Sequence, residues 1–146
     1  MSVAELSGLC FLDTNVFVYT FDDTDPEKRG MSRDWVRSAL LSGRGIISTQ
    51  VVQEFIAVAT RKFASPLTPA ETRDYLKTVL APLCQHFPSL AGYETALRIR
   101  EETGYSWYDS LIVAAAADTG CRWLISEDLA YGRAVGAVTI LSPFKR

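Results

Sequence analysis

Histidine is almost missing from this chain: His86 is the only one in 146 residues. A zinc site built on imidazoles is therefore excluded, and a metal here would have to be held by oxygen. The same scarcity leaves no Ser–His or Cys–His pair to activate a covalent nucleophile. Cysteine is sparse and scattered. Cys10, Cys84 and Cys121 sit in or beside apolar segments, with no CxxC and no even framework. They read as small buried side chains in a reducing cytoplasm. Long hydrophobic runs are absent too. The longest, Leu111 to Ala117, falls far short of the roughly 20 residues that cross a bilayer, so no membrane association is expected. The opening MSVAELSG is short and carries a Glu, which predicts no signal peptide. Neither sign of charge dominates: 15 Lys and Arg stand against 17 Asp and Glu, for a net charge of −2. That argues against broad electrostatic binding to nucleic acid and leaves room for a local basic groove.

What is present is the balance of an ordinary globular protein, 48% apolar and 22% charged, with enough chain for one core. No repeat, low-complexity segment or linker divides it, so residues 1–146 are read as a single domain. Leu9 to Asp13 (LCFLD) reads as a buried strand, followed by a helix or turn over TNVFVYTFD. Pro26 opens a second helix that carries Met31, Trp35 and Leu40 and ends in the SGRG turn. GIIST (45–49) is a second strand, and Val52, Phe55, Ile56, Ala59 and Phe63 mark one face of the next helix. Thr68-Pro69-Ala70-Glu71 is a capping box with proline in the first turn, starting a helix that runs to about Leu83. CQHF (84–87) is a weak third strand. Two helices follow, closed by Gly104 and Gly120. RWLIS (122–126) and VTIL (138–141) are the fourth and fifth strands. Strands alternating with helices predict an α/β sandwich around a mostly parallel sheet.

Four carboxylates stand out, and each has a plain structural explanation. Asp13 ends the first strand and suits an N-cap. Glu54 lies early in the helix after strand two, in the apolar VVQEFIAVA; it is not the capping-box partner of Thr49, and its plain reading is a solvated surface position, although few positions on this helix look exposed. Asp109 completes Ser106-Trp107-Tyr108-Asp109, a capping-box variant, at the start of the apolar SLIVAAAA helix. Asp128 follows strand four and could cap a short helix from Leu129. In a parallel sheet, however, strand ends and helix starts share one edge, so all four collect there. If strands one and four are neighbours, that edge is the switch point at which open α/β sheets bind ligands. Four carboxylates in one cleft raise each other's pKa unless a cation lies between them, and oxygen-only ligands point to Mg²⁺ or Mn²⁺.

At this point FLDTNVFVY, STQVVQEF, SWYDSLIVAAA and LISEDL together resemble the PIN-domain family, most closely its VapC-type ribonuclease toxins of toxin–antitoxin pairs. The resemblance runs from about Leu9 to the end of the fifth strand. It implies a three-layer α/β/α sandwich with a five-stranded sheet in the order 3-2-1-4-5, which makes strands one and four neighbours. It implies metal-dependent cleavage of single-stranded RNA with Mg²⁺ or Mn²⁺. Asp13, Glu54, Asp109 and Asp128 match the family's acidic positions. Thr14 or Asn15 and Ser126 match its supporting polar ones. On this reading Asp13 and Asp109 are the first choices as direct metal ligands. Glu54 and Asp128 complete the cage, and Ser126 and Asn15 orient them.

RNA must also be held. Arg61 and Lys62 at the end of the Glu54 helix, Arg29, Arg33 and Arg37 on the second helix, and the aromatic rings of Trp107 and Tyr108 are the candidates, although ordinary solvated charge explains most of these cations better and Trp107 fits the core equally well. The resemblance implies a homodimer and a cognate antitoxin protein in a groove between the early helices, which Trp35, Leu40, Leu41 and Phe55 could line, although core packing explains these four as well. Other classes compete. A non-catalytic PIN-like RNA- or protein-binding module would keep the fold, although retention of all four acids argues against it. A phosphoacceptor receiver domain would need acids and a lysine in places this chain does not supply. A flap-type DNA nuclease would need additional DNA-binding elements.

Overall fold

The apolar stretch at the start of the chain becomes the centre of a sheet. In the computed structural model, which describes residues 1–145, strand β1 is Leu9–Leu12, with Cys10, Phe11 and Leu12 buried. β2 (Gly45–Ser48) lies on one side of it and β4 (Cys121–Ile125) on the other, both parallel to it. β3 (Cys84–His86) extends the sheet beyond β2, and β6 (Val138–Leu141) extends it beyond β4, again in parallel. A strand buried on both faces reads as a continuous apolar run, and β2, buried at every position, is of this kind.

The sheet has one more strand than the sequence predicts. β5 (Ala134–Val135) pairs antiparallel with β6, giving six strands in the order β3-β2-β1-β4-β6-β5. Two residues of Ala and Val between glycines carry no period to read, so this hairpin edge is invisible in the sequence. The parallel part keeps the expected order, with β1 and β4 adjacent.

Helices cover both faces. α1 (Thr14–Tyr19), α2 (Pro26–Ser42) and α3 (Thr49–Ala59) pack together on one side. On the other, α7 (Trp107–Asp118) lies against β2, β4 and β6, with α6 (Leu90–Thr103) outside it. α7 is buried at Ser110 and from Ile112 to Ala116, as its all-round apolar sequence requires. α2 approaches β2 so closely that a Cβ on Gly45 would lie 2.3 Å from the Ala39 Cβ, so only glycine fits there. The capping box forms as expected: Thr68 accepts from the Glu71 N–H at 3.1 Å, and Glu71 accepts from the Thr68 N–H at 3.0 Å. The helix it opens is not uniform. α4 (Pro69–Tyr75) passes through a π-helical turn, Leu76–Leu80, into the short α5 (Ala81–Leu83). A π turn widens the helix by one residue, which no residue pattern announces.

Two further expectations are corrected. No helix starts at Leu129; residues 127–129 form a bend and 131–132 a turn. Trp35 and Phe55 are fully buried and cannot line a surface groove. The Trp35 indole N–H donates to the Pro143 carbonyl at 2.9 Å, which fixes it in the core. Among the described residues, no helix is long and apolar enough to cross a membrane.

Candidate active site

Three consecutive residues organise the carboxyl edge of the sheet. Asp13, Thr14 and Asn15 follow β1 directly, and each holds a different part of the edge. Asp13 is the N-cap of α1, as its plainest reading said: one carboxylate oxygen accepts from the Thr14 N–H at 2.7 Å. The other accepts from the Ser126 hydroxyl at 2.8 Å, just past the end of β4. Thr14 donates from its hydroxyl to Glu54 Oε1 on α3 at 3.0 Å. Asn15 donates from Nδ2 to Asp128 Oδ2 at 3.0 Å and accepts from the Glu127 N–H at 3.4 Å. Capping and assembling the edge are thus one arrangement.

Ser126 also ties the edge from the β4 side, since its hydroxyl oxygen accepts from the Asp128 N–H at 3.3 Å. Asp109 enters from α7, where the Ser106 hydroxyl accepts from its N–H at 3.1 Å. The expected Ser106–Asp109 cap is therefore present, and it leaves the carboxylate uncommitted to the helix. Sequence reasoning missed Gln50. Its Nε2 donates to the Tyr108 carbonyl at 3.1 Å and to Glu54 Oε1 at 3.4 Å, linking α3 to α7 across the edge. The available signal was its i, i+4 spacing from Glu54 on one helical face. Lys28 was missed as well: it pairs with Glu127 at 2.8 Å and anchors the loop that carries Asp128.

The electrostatics follow from burial. Asp13 is 6% exposed, and burial pushes its carboxyl up to about 7, against the downward pull of Ser126 and Thr14. Glu54 and Asp128 push it further the same way. Glu54 is also raised, by burial first, with Thr14 and Gln50 opposing and Asp109 and Asp128 adding to the rise. The charges acting on these two groups are other carboxylates. Such a set attracts a hard cation.

Among the described residues, no three His, Cys, Asp or Glu side chains are gathered closely enough to hold a metal ion by themselves. The donor chemistry nonetheless fits Mg²⁺, which keeps several waters and takes only one or two carboxylates together with phosphate oxygens. The expected RNA-binding cations are not part of this edge. Arg61 and Lys62 lie exposed beyond the end of α3, roughly 10 Å further along the axis than Glu54 at the helical rise. Arg33 donates to the Thr20 carbonyl at 3.0 Å, Arg37 faces Asp34 at 3.6 Å and Arg29 pairs with Asp23. Tyr108, by contrast, is exposed next to Asp109.

The family model for the PIN domain matches residues 10–136, from β1 past the start of β5. The chain is a PIN-domain protein. No curated protein sequence is a significant match to it. Solved structures extend the likeness of this PIN domain at the level of fold. The DNA-bound VapBC of Salmonella typhimurium superposes with a TM-score of 0.64 at 19% identity, covering 93% of this chain and 98% of that one. FitAcB of Neisseria gonorrhoeae gives 0.61 at 18%, covering 93% and 99%. VapC20 of Mycobacterium tuberculosis, described as a toxin that cleaves the sarcin-ricin loop, gives 0.55 at 16%, covering 82% and 91%.

Proposed function

We propose that this PIN domain is a metal-dependent endoribonuclease that cleaves single-stranded RNA, and that it is the VapC-type toxin of a toxin–antitoxin pair. The observation that carries the reading is the Asp13-Thr14-Asn15 arrangement, which draws Glu54, Asp128 and Ser126 to one edge and leaves the carboxyl groups of Asp13, Glu54 and Asp128 there with no ion-pair partner among the described residues. The whole chain is read as one such domain acting in the cytoplasm, where its RNA would be.

Asp13 and Asp109 would hold Mg²⁺ or Mn²⁺ directly, with Glu54 and Asp128 completing the oxygen set. Bound there, the cation supplies Lewis acidity toward water and the scissile phosphate. The chain's own residues do the positioning. Ser126 fixes Asp13 by donating to the oxygen that Thr14 does not use. Thr14 and Gln50 hold one oxygen of Glu54, so its second oxygen faces a defined direction. Asn15 does the same for Asp128. Hydrogen bonds of this kind orient ligands and are worth about 10- to 100-fold in metal affinity or activity.

An antitoxin partner is supported by the company the fold keeps, since several similar chains were solved as toxin–antitoxin complexes. A homodimer is proposed from the family resemblance alone, and sedimentation of the isolated chain tests it. One observation favours the second reading, a non-catalytic PIN-like binding module: among the described residues, no three acids stand close enough to cage a metal unaided. Cleavage of a mixed single-stranded RNA panel with Mg²⁺, Mn²⁺ or EDTA decides between them. The nuclease reading expects cleavage that requires metal and is lost in Asp109→Asn. A folded wild type that binds Mg²⁺ and leaves every RNA intact would favour the module.

A further inference from the structure

A cleft of about 380 Å³ opens beside the acidic edge, between the start of α3, the end of β3 and the starts of α6 and α7. Aromatic rings from two elements line it: Tyr93 of α6 and Trp107 of α7 lie 5.9 Å apart with their planes tilted by 59°, and exposed Tyr108 borders them. Gln50 and Gln53 of α3 contribute amides, and Ser48, Thr49, His86, Pro88, Leu111 and Ala115 complete the lining. The Gln50 Nε2 is committed to Glu54 and to the Tyr108 carbonyl, which leaves its Oε1 as an acceptor. Gln53 is exposed one turn further on.

We propose that this cleft receives one unstacked nucleobase of single-stranded RNA, adjacent to the phosphate held at the acidic edge. The proposal rests on the nuclease reading and adds to it the place where a base is held. Three features of the cleft converge. Aromatic faces give a base a stacking surface, as in proteins that hold single strands. Glutamine amides offer both a donor and an acceptor to a base edge, the usual means of reading an unpaired base. Position is the third: Gln50 touches the cleft and Glu54 at once, and Tyr108 precedes Asp109 in the chain. A base held by Gln50 is therefore linked to Glu54 through that one side chain. The overall charge of −2 agrees with holding RNA through stacking and amides rather than through a basic surface. The cleft is thus a candidate determinant of cleavage preference.

Two measurements separate failure of this proposal from failure of the nuclease reading. The first needs no catalysis. The full chain in EDTA is titrated with the four homopolymeric RNA trinucleotides and with an abasic trimer of equal charge. The side-chain amides of Gln50 and Gln53 and the Trp107 indole N–H are followed by NMR. Saturable shifts at these groups, larger with at least one base-bearing trimer than with the abasic one, are expected. Equal shifts with the abasic trimer, or shifts only elsewhere, would overturn the base pocket. The second uses Tyr93→Ala and Gln53→Ala, both at exposed positions, with folding checked by circular dichroism. Each should raise KM about tenfold for the preferred RNA and change the order of preference across the panel. Unchanged KM and unchanged preference in both variants would also overturn the pocket while leaving the nuclease intact. A wild type that shows the NMR shifts and cleaves nothing would retain the pocket and remove the nuclease.

Discussion

Glu54 and Phe55 are neighbours on α3 and live under opposite rules. Phe55 is fully buried, stacks on Tyr75 with ring centroids 4.7 Å apart, and meets Phe17, Phe21 and Phe63 edge-on or tilted. Every contact there is apolar and favourable; burying a ring of that size contributes about 2–3 kcal/mol. Glu54 turns to the sheet edge, where burial and other carboxylates both raise its pKa. One side of the helix stabilises the fold. The other holds charge that the fold alone does not neutralise. The difference teaches that the acidic edge is there for something other than stability, because apolar residues would serve stability better.

The largest expected effect breaks the edge and spares the aromatic side. Asp109→Asn keeps the backbone N–H that Ser106 caps, so the helix should start as before. RNA cleavage should fall to background while the unfolding midpoint stays level or rises, because one repelling charge has gone. Side-by-side cleavage and thermal unfolding check this, and a large drop in midpoint would mean that Asp109 stabilises the fold. The converse break is Phe55→Ala. It should cost about 3–5 kcal/mol in denaturant unfolding, as the cavity adds to the lost burial. Whatever fraction remains folded should retain full Mg²⁺ affinity, measured by calorimetry.

A smaller effect measures the uncompensated charge itself. Asp13 titrates near 3.8 when exposed and near 7 in the fold. Between those values the folded state binds more protons than the unfolded one, so stability falls as pH rises through this window and stays low above it. Glu54, also raised, contributes in the same direction. In EDTA the midpoint of unfolding should therefore be higher at pH 5 than at pH 8. Asp13→Asn should flatten most of that slope, recovering on the order of 2–4 kcal/mol at pH 8. Adding Mg²⁺ should raise the wild-type midpoint more at pH 8 than at pH 5. A slope unchanged by Asp13→Asn would place the charge cost elsewhere.

The parts of this contrast that were legible in the sequence are those that depend on neighbours along the chain. The capping box at Thr68, the Ser106–Asp109 cap and the apolar face of α3 are local patterns, and all are present. The collection of four acids on one edge was also legible, because parallel strands force their ends to one pole. What could not be read depends on contacts between distant segments. Each hydrogen bond of Asp13-Thr14-Asn15 reaches a partner 40 or more positions away, except the cap itself. Trp35 and Phe55 looked equally suited to groove or core, since an apolar side chain does not state which surface covers it. The two-residue strand β5 and the π turn after Tyr75 have no periodicity of their own.

The smallest effect lies one residue from Asp128 and should have the opposite sign to that of Asp13. Glu127 pairs with Lys28 at 2.8 Å, with the two side chains 30% and 34% exposed, and the ammonium also sits 5.2 Å from the Tyr19 ring centroid and 5.0 Å from that of Phe144. Burial raises the Glu127 carboxyl, but hydrogen bonding to Lys28 and Tyr19 outweighs it and leaves the group below its ordinary value. A depressed carboxylate contributes stability above its unfolded pKa and loses it as pH falls through the folded one. Glu127→Gln should therefore cost about 0.5–1 kcal/mol at pH 7, less at high salt, and progressively less as pH falls through the depressed value of the folded state. Asp13→Asn should stabilise at pH 8 and do little at pH 4. Unfolding curves of the two variants across that range test the pair together. Slopes of opposite sign would separate the charge that anchors the loop from the charge kept for a ligand. Slopes of the same sign would mean that Glu127 belongs electrostatically to the acidic edge, and that Lys28 does not offset its charge.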